Sequence, residues 1–159
     1  TYMEDGELLN VRAELFGSVF VIVQHLTRRA DRELADLDLT TRQWLLLAVL
    51  ANAFPEGSPS LSEAAEKYGS SRQNVKQIAL KLQEKGLLRI VQDDSDARVS
   101  RLVMTEEFVE FWNKTITKGG KFTDRLFEGI EACELQSARG LLDKLIGNLE
   151  RIDENPRPA

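Results

Sequence analysis

One histidine and one cysteine in 159 residues leave little room for side-chain chemistry. His25 and Cys133 stand far apart in sequence, so the chain offers no local Cys–His pair for nucleophilic catalysis. A zinc site would need more of either residue than is present. A lone cysteine also excludes an internal disulfide and suits a reducing compartment. No phosphate-cradling glycine loop occurs; Gly119 and Gly120 are an isolated pair. Asp93, Asp94 and Asp96 cluster, but the glycine and distal glutamate of a calcium-binding EF-hand loop are missing. Long apolar runs are absent as well: the longest, residues 44–51, falls far short of the roughly 18 residues that span a bilayer. No basic-then-apolar stretch opens the chain. These absences predict no catalytic residues, no enzyme, no metal, no cofactor and no membrane association, in a cytoplasmic protein.

The bulk composition is that of a globular domain, 42% hydrophobic and 30% charged. A net charge of −5 argues superficially against a polyanionic partner. Its distribution removes the objection. Residues 60–101 carry eight Lys or Arg against six Asp or Glu, whereas the remainder carries thirteen against twenty. Salt screens charges beyond about 8 Å, so the local balance decides what a partner feels.

That locally basic segment holds a paired signature. Its first half, residues 61–80, reads LSEAAEKYGSSRQNVKQIAL. Ser60 and Glu63 have the spacing of a capping box that opens a helix. Gly69 supplies the left-handed stop. Ser70 or Ser71 caps a second helix, with Gln73 placed to complete a box from Ser70. Val75, Ile78, Ala79 and Leu82 recur at helical spacing and predict a buried stripe. The opposite face carries Gln73, Lys76, Gln77 and Lys81, flanked by Arg72 and Asn74. These side chains match base edges and phosphates in their donor and acceptor geometry. The spacing is that of a helix-turn-helix.

The second half, residues 86–105, reads as two strands joined by a charged wing. Gly86 ends the second helix, and Leu88, Ile90, Leu102 and Met104 alternate as in strands with one buried face. Residues 92–98 hold three aspartates and end in Arg98. Asp96, two residues before it, is placed to pair with the guanidinium and aim it outward. An arginine on a hairpin tip suits the negative potential of a narrow minor groove. Each half alone is weak; together they predict a reader of duplex DNA. Alone, the polar helix face would read as an ordinary solvated surface.

Helices flank this segment. Residues 7–36 predict one long helix whose apolar residues, between Leu15 and Leu26, cover more than one face, which implies a partner helix. Thr40 and Gln43 predict another capping box, opening a buried helix through Phe54, followed by a loop at residues 55–59. After Thr105 comes an aromatic-rich helix (Phe108, Phe111, Trp112), expected to break or bend near Gly119 and Gly120. Leu135, Ala138, Leu142, Leu145, Leu149 and Ile152 then recur at close to heptad spacing.

The chain resembles the MarR family of transcription regulators. The resemblance rests on D-x-x-D-x-R in the wing (Asp93, Asp96, Arg98) with Thr105 seven residues on, and on KLQEKGLL, SSRQNV and LTTRQWLLLAVL upstream. It covers roughly 65 residues. Asp94 stands where the family commonly has proline, Ala97 where a second basic residue is common, and Ile90 where arginine is frequent; Leu80 lies on the polar face of the second helix. The resemblance implies a mainly α fold with a small β wing: a winged helix-turn-helix lobe (residues 39–105) plus a helical dimerisation lobe built from both termini (residues 1–38 and 106–159). It implies a homodimer on a palindromic site of double-stranded DNA, acting as a repressor.

The DNA-binding residues expected on this basis are Ser70, Ser71, Arg72, Gln73, Asn74, Lys76, Gln77, Lys81, Arg98 and Arg101, with Asp96 orienting the wing. Many relatives bind small aromatic or anionic effectors between the two lobes, and Phe16, Phe20, His25, Arg42 and Trp44 are the residues expected to line such a crevice here. For each of the five, core packing or an ordinary surface role is the competing reading. Some relatives sense oxidants through a cysteine in the first helix; this first helix has none. The rival function is a winged-helix module that docks another protein instead of an operator.

Overall fold

The computed structural model describes residues 5–154, and the outermost ends of the two expected helical regions lie outside them. Six α-helices and two strands follow one another: α1 (Asp5–Leu34), α2 (Thr41–Ala53), α3 (Leu61–Tyr68), α4 (Arg72–Glu84), β1 (Leu88–Gln92), β2 (Ser100–Met104), α5 (Glu106–Leu126) and α6 (Ala132–Glu154). The chain divides into two units, residues 1–117 and 118–159.

In the first unit the local signals act as the sequence predicts. Thr40 and Gln43 form a reciprocal capping box at α2, as do Ser60 and Glu63 at α3. Such a cap contributes about 1 kcal/mol by satisfying amides that the helix leaves open. Gly69 takes φ +75° and returns the chain into α4. There the cap is Ser71, whose hydroxyl accepts the Asn74 amide at 3.2 Å. The Ser70–Gln73 box is not formed, because the Ser70 hydroxyl accepts the Asn74 side-chain amide at 2.8 Å.

The core lies where α2, α3, α4 and the hairpin meet. Leu46, Leu47, Leu50, Val75, Leu82, Leu88 and Leu102 are fully buried in it. Burying side chains of this size stabilises by roughly 1.5–3 kcal/mol each. The buried stripe of α4 is Val75, Ile78, Ala79 and Leu82, so its opposite face is left to solvent. Trp44, Trp112 and Phe108 stack in series, with centroids 6.2 and 5.8 Å apart, and dock the start of α5.

The strands pair antiparallel, Leu88 with Met104 through Gln92 with Ser100. Residues 55–59, expected to be loop, contribute more. The Leu102 amide donates to the Pro59 carbonyl at 2.9 Å, and Ser60 bridges Arg101, so the segment before α3 covers the outer edge of β2. Paired or covered edges cannot template aggregation.

Two further expectations are corrected. α1 ends at Leu34 and a short 3-10 turn at residues 35–37 carries the chain to Asp38, whose φ of 53° is left-handed. Of the break or bend expected near Gly119 and Gly120, the break does not occur: α5 runs through both. Thr123 donates its hydroxyl to both glycine carbonyls, holding the turn that two glycines would otherwise loosen.

α1 presents an exposed apolar surface that includes Phe16, at 70% exposure, Phe20, Val21, Ile22 and Val23. In the second unit, Leu142, Leu145, Ile146, Leu149 and Ile152 of α6 are likewise exposed. Among the described residues, no helix is long and apolar enough to cross a membrane.

Candidate nucleic-acid interface

α4 and the hairpin bring the basic residues together. Arg72 and Lys76, on the first two turns of α4, line one open cavity of about 340 Å³ with Arg98 from the wing. Ser60, Ser62 and Ser100 complete its polar wall. No carboxylate among the described residues pairs with these three cations. Gln73 and Gln77 are exposed beside them, their side chains likewise uncommitted. Three free cations flanking two amides can hold phosphate oxygens while the amides meet base edges.

Other expected contacts are spent inside the protein. Ser71 caps α4, and Ser70 holds the Asn74 amide. The Asn74 carbonyl oxygen accepts from the Arg42 guanidinium at 2.6 Å. Lys81 pairs with Glu84 at 3.0 Å on an exposed surface, a bond weak enough to exchange for a phosphate.

The wing is organised differently from the expected Asp96–Arg98 ion pair, which does not form. Asp96 accepts the backbone N–H of Arg98 at 2.9 Å, fixing the chain and leaving the guanidinium free. The ion pair joins Asp93 to Arg101. Asp93 is a hub whose side chain is only 11% exposed. One oxygen accepts from the Ser95 hydroxyl, the Ser95 amide at 2.9 Å and the Asp96 amide at 3.1 Å; the other accepts from Arg101. The Ser95 hydroxyl first, then the Arg101 guanidinium, hold this carboxyl far below the usual carboxylate range. Asp93 in turn raises the Arg101 pKa. Arg101 also donates to the Ser58 carbonyl at 2.9 Å, tying the wing to the segment before α3. Arg101 is therefore a wing anchor in this structure, and Arg98 the projecting cation.

Sequence reasoning missed Asp93 as the hub, although Asp-x-Ser is a recognised side-chain-to-backbone turn pattern. It also missed Asp31. Asp31 accepts the Thr41 hydroxyl at 2.6 Å and the Thr41 amide at 2.8 Å, joining α1 to α2. These two bonds, the hydroxyl's first, lower its pKa.

The residues expected to line an effector crevice occupy separate settings. Phe16 and Phe20 pair edge to face at 5.1 Å on the exposed surface of α1. His25 is exposed, Trp44 is stacked on Trp112, and Arg42 is bonded to Asn74. Neither this cavity nor a second one of about 430 Å³ beside Asp93 is lined by any of the five.

Comparison with known proteins agrees with this architecture. Residues 37–99, the helix-turn-helix and most of the wing, match the MarR family model. The HTH-type transcriptional repressor IacR of Pseudomonas putida is 23% identical over 126 residues, covering 79% of this chain and 74% of that protein. The solved structure of a MarR protein from Peptoclostridium difficile superposes with a TM-score of 0.75 at 20% identity, over 86% of this chain and 88% of that one. CouR from Rhodococcus jostii, solved bound to p-coumaroyl-CoA, gives 0.69 at 21% identity, over 80% and 88%. The helix-turn-helix and wing segment therefore matches the MarR family of transcription regulators, and the fold is that of MarR-family winged-helix structures.

Proposed function

We propose that the protein is a homodimeric repressor that reads a roughly palindromic operator, with α4 in the major groove and the wing beside the minor groove. The observation that carries this reading is the cavity where Arg72, Lys76 and Arg98 converge without acidic partners. A protein-docking surface has no need of three unpaired cations on one wall; a phosphodiester backbone does. In this reading Gln73 and Gln77 contact base edges, and Arg98 meets the minor groove or its phosphates. The exposed apolar faces of α1 and α6 supply the surface that a second copy covers. Two lobes related by a two-fold axis read half-sites about one helical turn apart.

Selection from randomised duplexes, followed by affinity measurement across salt concentrations, tests this reading. Enrichment of a palindromic site and a steep salt dependence support it. A protein that enriches no sequence is the docking module instead. Release of DNA by a small aromatic or anionic ligand belongs to the same proposal, supported by the family and by the ligand bound to CouR. The ligand must prefer one arrangement of the protein, since equal affinity shifts nothing. Titrating phenolic acids and their thioesters into the preformed complex tests it, and a compound that binds without changing operator affinity refutes it. The proposal places the protein in the cytoplasm, where the chromosome is.

A further inference from the structure

α4 is held at both ends by residues 38–42, the end of the connection after α1 together with the first turn of α2. At its amino end, the Arg42 guanidinium donates to Asn74 Oδ1 at 2.6 Å, and Asn74 passes its own amide to Ser70 at 2.8 Å. At its carboxyl end, Lys85 pairs with Asp38 at 2.8 Å and donates to the Asp38 carbonyl. The first turn of α2 is itself anchored to α1, because Thr41 donates to Asp31 and to the Thr27 carbonyl. None of these seven side chains lies in the cavity lined by Arg72, Lys76 and Arg98.

We propose that Arg42 is a positioning residue for DNA recognition, setting through Asn74 the angle at which α4 presents Gln73 and Gln77. This rests on the DNA-reading proposal above. The geometry explains why such a grip matters. A helix of 13 residues is about 20 Å long, so a rock of about 5° around one end moves the other by about 1.7 Å. Base-edge hydrogen bonds do not survive that displacement, whereas a long cation still reaches a phosphate. Loss of the grip should therefore remove sequence discrimination and spare non-specific affinity. Arg42 was expected to line an effector crevice; its committed bond to Asn74 gives it a role in the unliganded protein.

The test compares affinity for the selected operator with affinity for a random duplex at several salt concentrations. Arg42→Ala, Asn74→Ala, the double variant and Arg42→Lys are measured beside the wild type, and thermal melts confirm folding. The expected result is about a tenfold loss on the operator, less than twofold on random DNA, and an unchanged salt slope. The double variant should be no worse than Asn74→Ala, because both changes break one contact. Arg42→Lys should recover part of the discrimination. A slope that falls by about one per lost contact would make Arg42 a phosphate contact and overturn the proposal. So would equal losses on both duplexes, or full additivity in the double variant. A wild type that selects no operator refutes the DNA-reading proposal itself; a selective wild type with indifferent variants refutes only the positioning role.

Discussion

Replacing Arg98 by alanine should separate a cation that meets DNA from one that builds the wing. Arg98 and Arg101 stand three residues apart, yet Arg101 is bonded to Asp93 and the Ser58 carbonyl while the Arg98 guanidinium is unpaired. Each phosphate contact contributes about 0.9 to the slope of log affinity against log salt. A dimer with one Arg98 contact per half-site therefore loses about 1.8 from the slope when both are removed. Between 50 and 200 mM salt, a fourfold change, the wild type should weaken by about twelvefold more than Arg98→Ala. At fixed physiological salt the variant should bind at least about tenfold less tightly, equivalent to about 1.4 kcal/mol for the dimer.

Fluorescence anisotropy with a labelled operator, repeated at five or six salt concentrations, reads both quantities. If Asp96 acts only by holding the backbone of Arg98, Asp96→Ala should weaken binding by a few-fold with the slope unchanged. An unchanged slope for Arg98→Ala would remove Arg98 from the interface. Tighter binding by Asp96→Ala would show that its negative charge, not its hydrogen bond, is what the DNA feels.

Gln73→Ala or Gln77→Ala should cost roughly 1–3 kcal/mol and relax preference at one base position, read by repeating the selection with each variant; unchanged preference in both would remove α4 as the reader. Light scattering should give twice the chain mass at micromolar concentration, and Leu142→Asp or Leu145→Asp should dissociate or unfold the protein, since an unpaired charge in an apolar interface is strongly unfavourable; a soluble wild-type monomer refutes the dimer. Asp93 has a native pKa below its unfolded value of about 3.9, so the stability it contributes is complete above that value and is lost as pH falls through the lowered native one. Melting of Asp93→Asn should thus lie furthest below the wild type above about pH 5, and the gap should close towards pH 2. A gap that widens on acidification would reverse the sign and contradict the hub.

What the sequence displayed of the fold was whatever it encodes within four or five residues. Thr40 with Gln43, Ser60 with Glu63, and Gly69 are complete local statements, and the structure contains all three. The two glycines of α5 misled because intrinsic propensity is weak: each costs about 1 kcal/mol in a helix interior, and flanking turns together with Thr123 outweigh that. The cover over β2 was illegible for a different reason. Arg101 reaches a carbonyl 43 residues away, and nothing in the Ser58 neighbourhood announces a partner at that distance.

The same distinction governs the interface. Periodicity tells which face of α4 is wet, so Arg72, Gln73, Lys76 and Gln77 were legible as a group. It does not tell which charged group is already occupied. Arg98 and Arg101 are equivalent by type and nearly by position, and Asp96, two residues before Arg98, was paired with the arginine nearest to it in sequence. The structure assigns Asp93 to Arg101 because antiparallel pairing of Gln92 with Ser100 brings the two sides of the hairpin together, eight residues apart along the chain. Asp96, close to Arg98 in sequence, has geometry for its backbone alone. Asn74 illustrates the converse: on the flank of the exposed face and chemically suited to a base, it is consumed by Arg42 and Ser70 from two other directions. A polar residue on a reading helix is available to DNA only after the protein's own unsatisfied groups have been served, and that accounting requires the tertiary contacts.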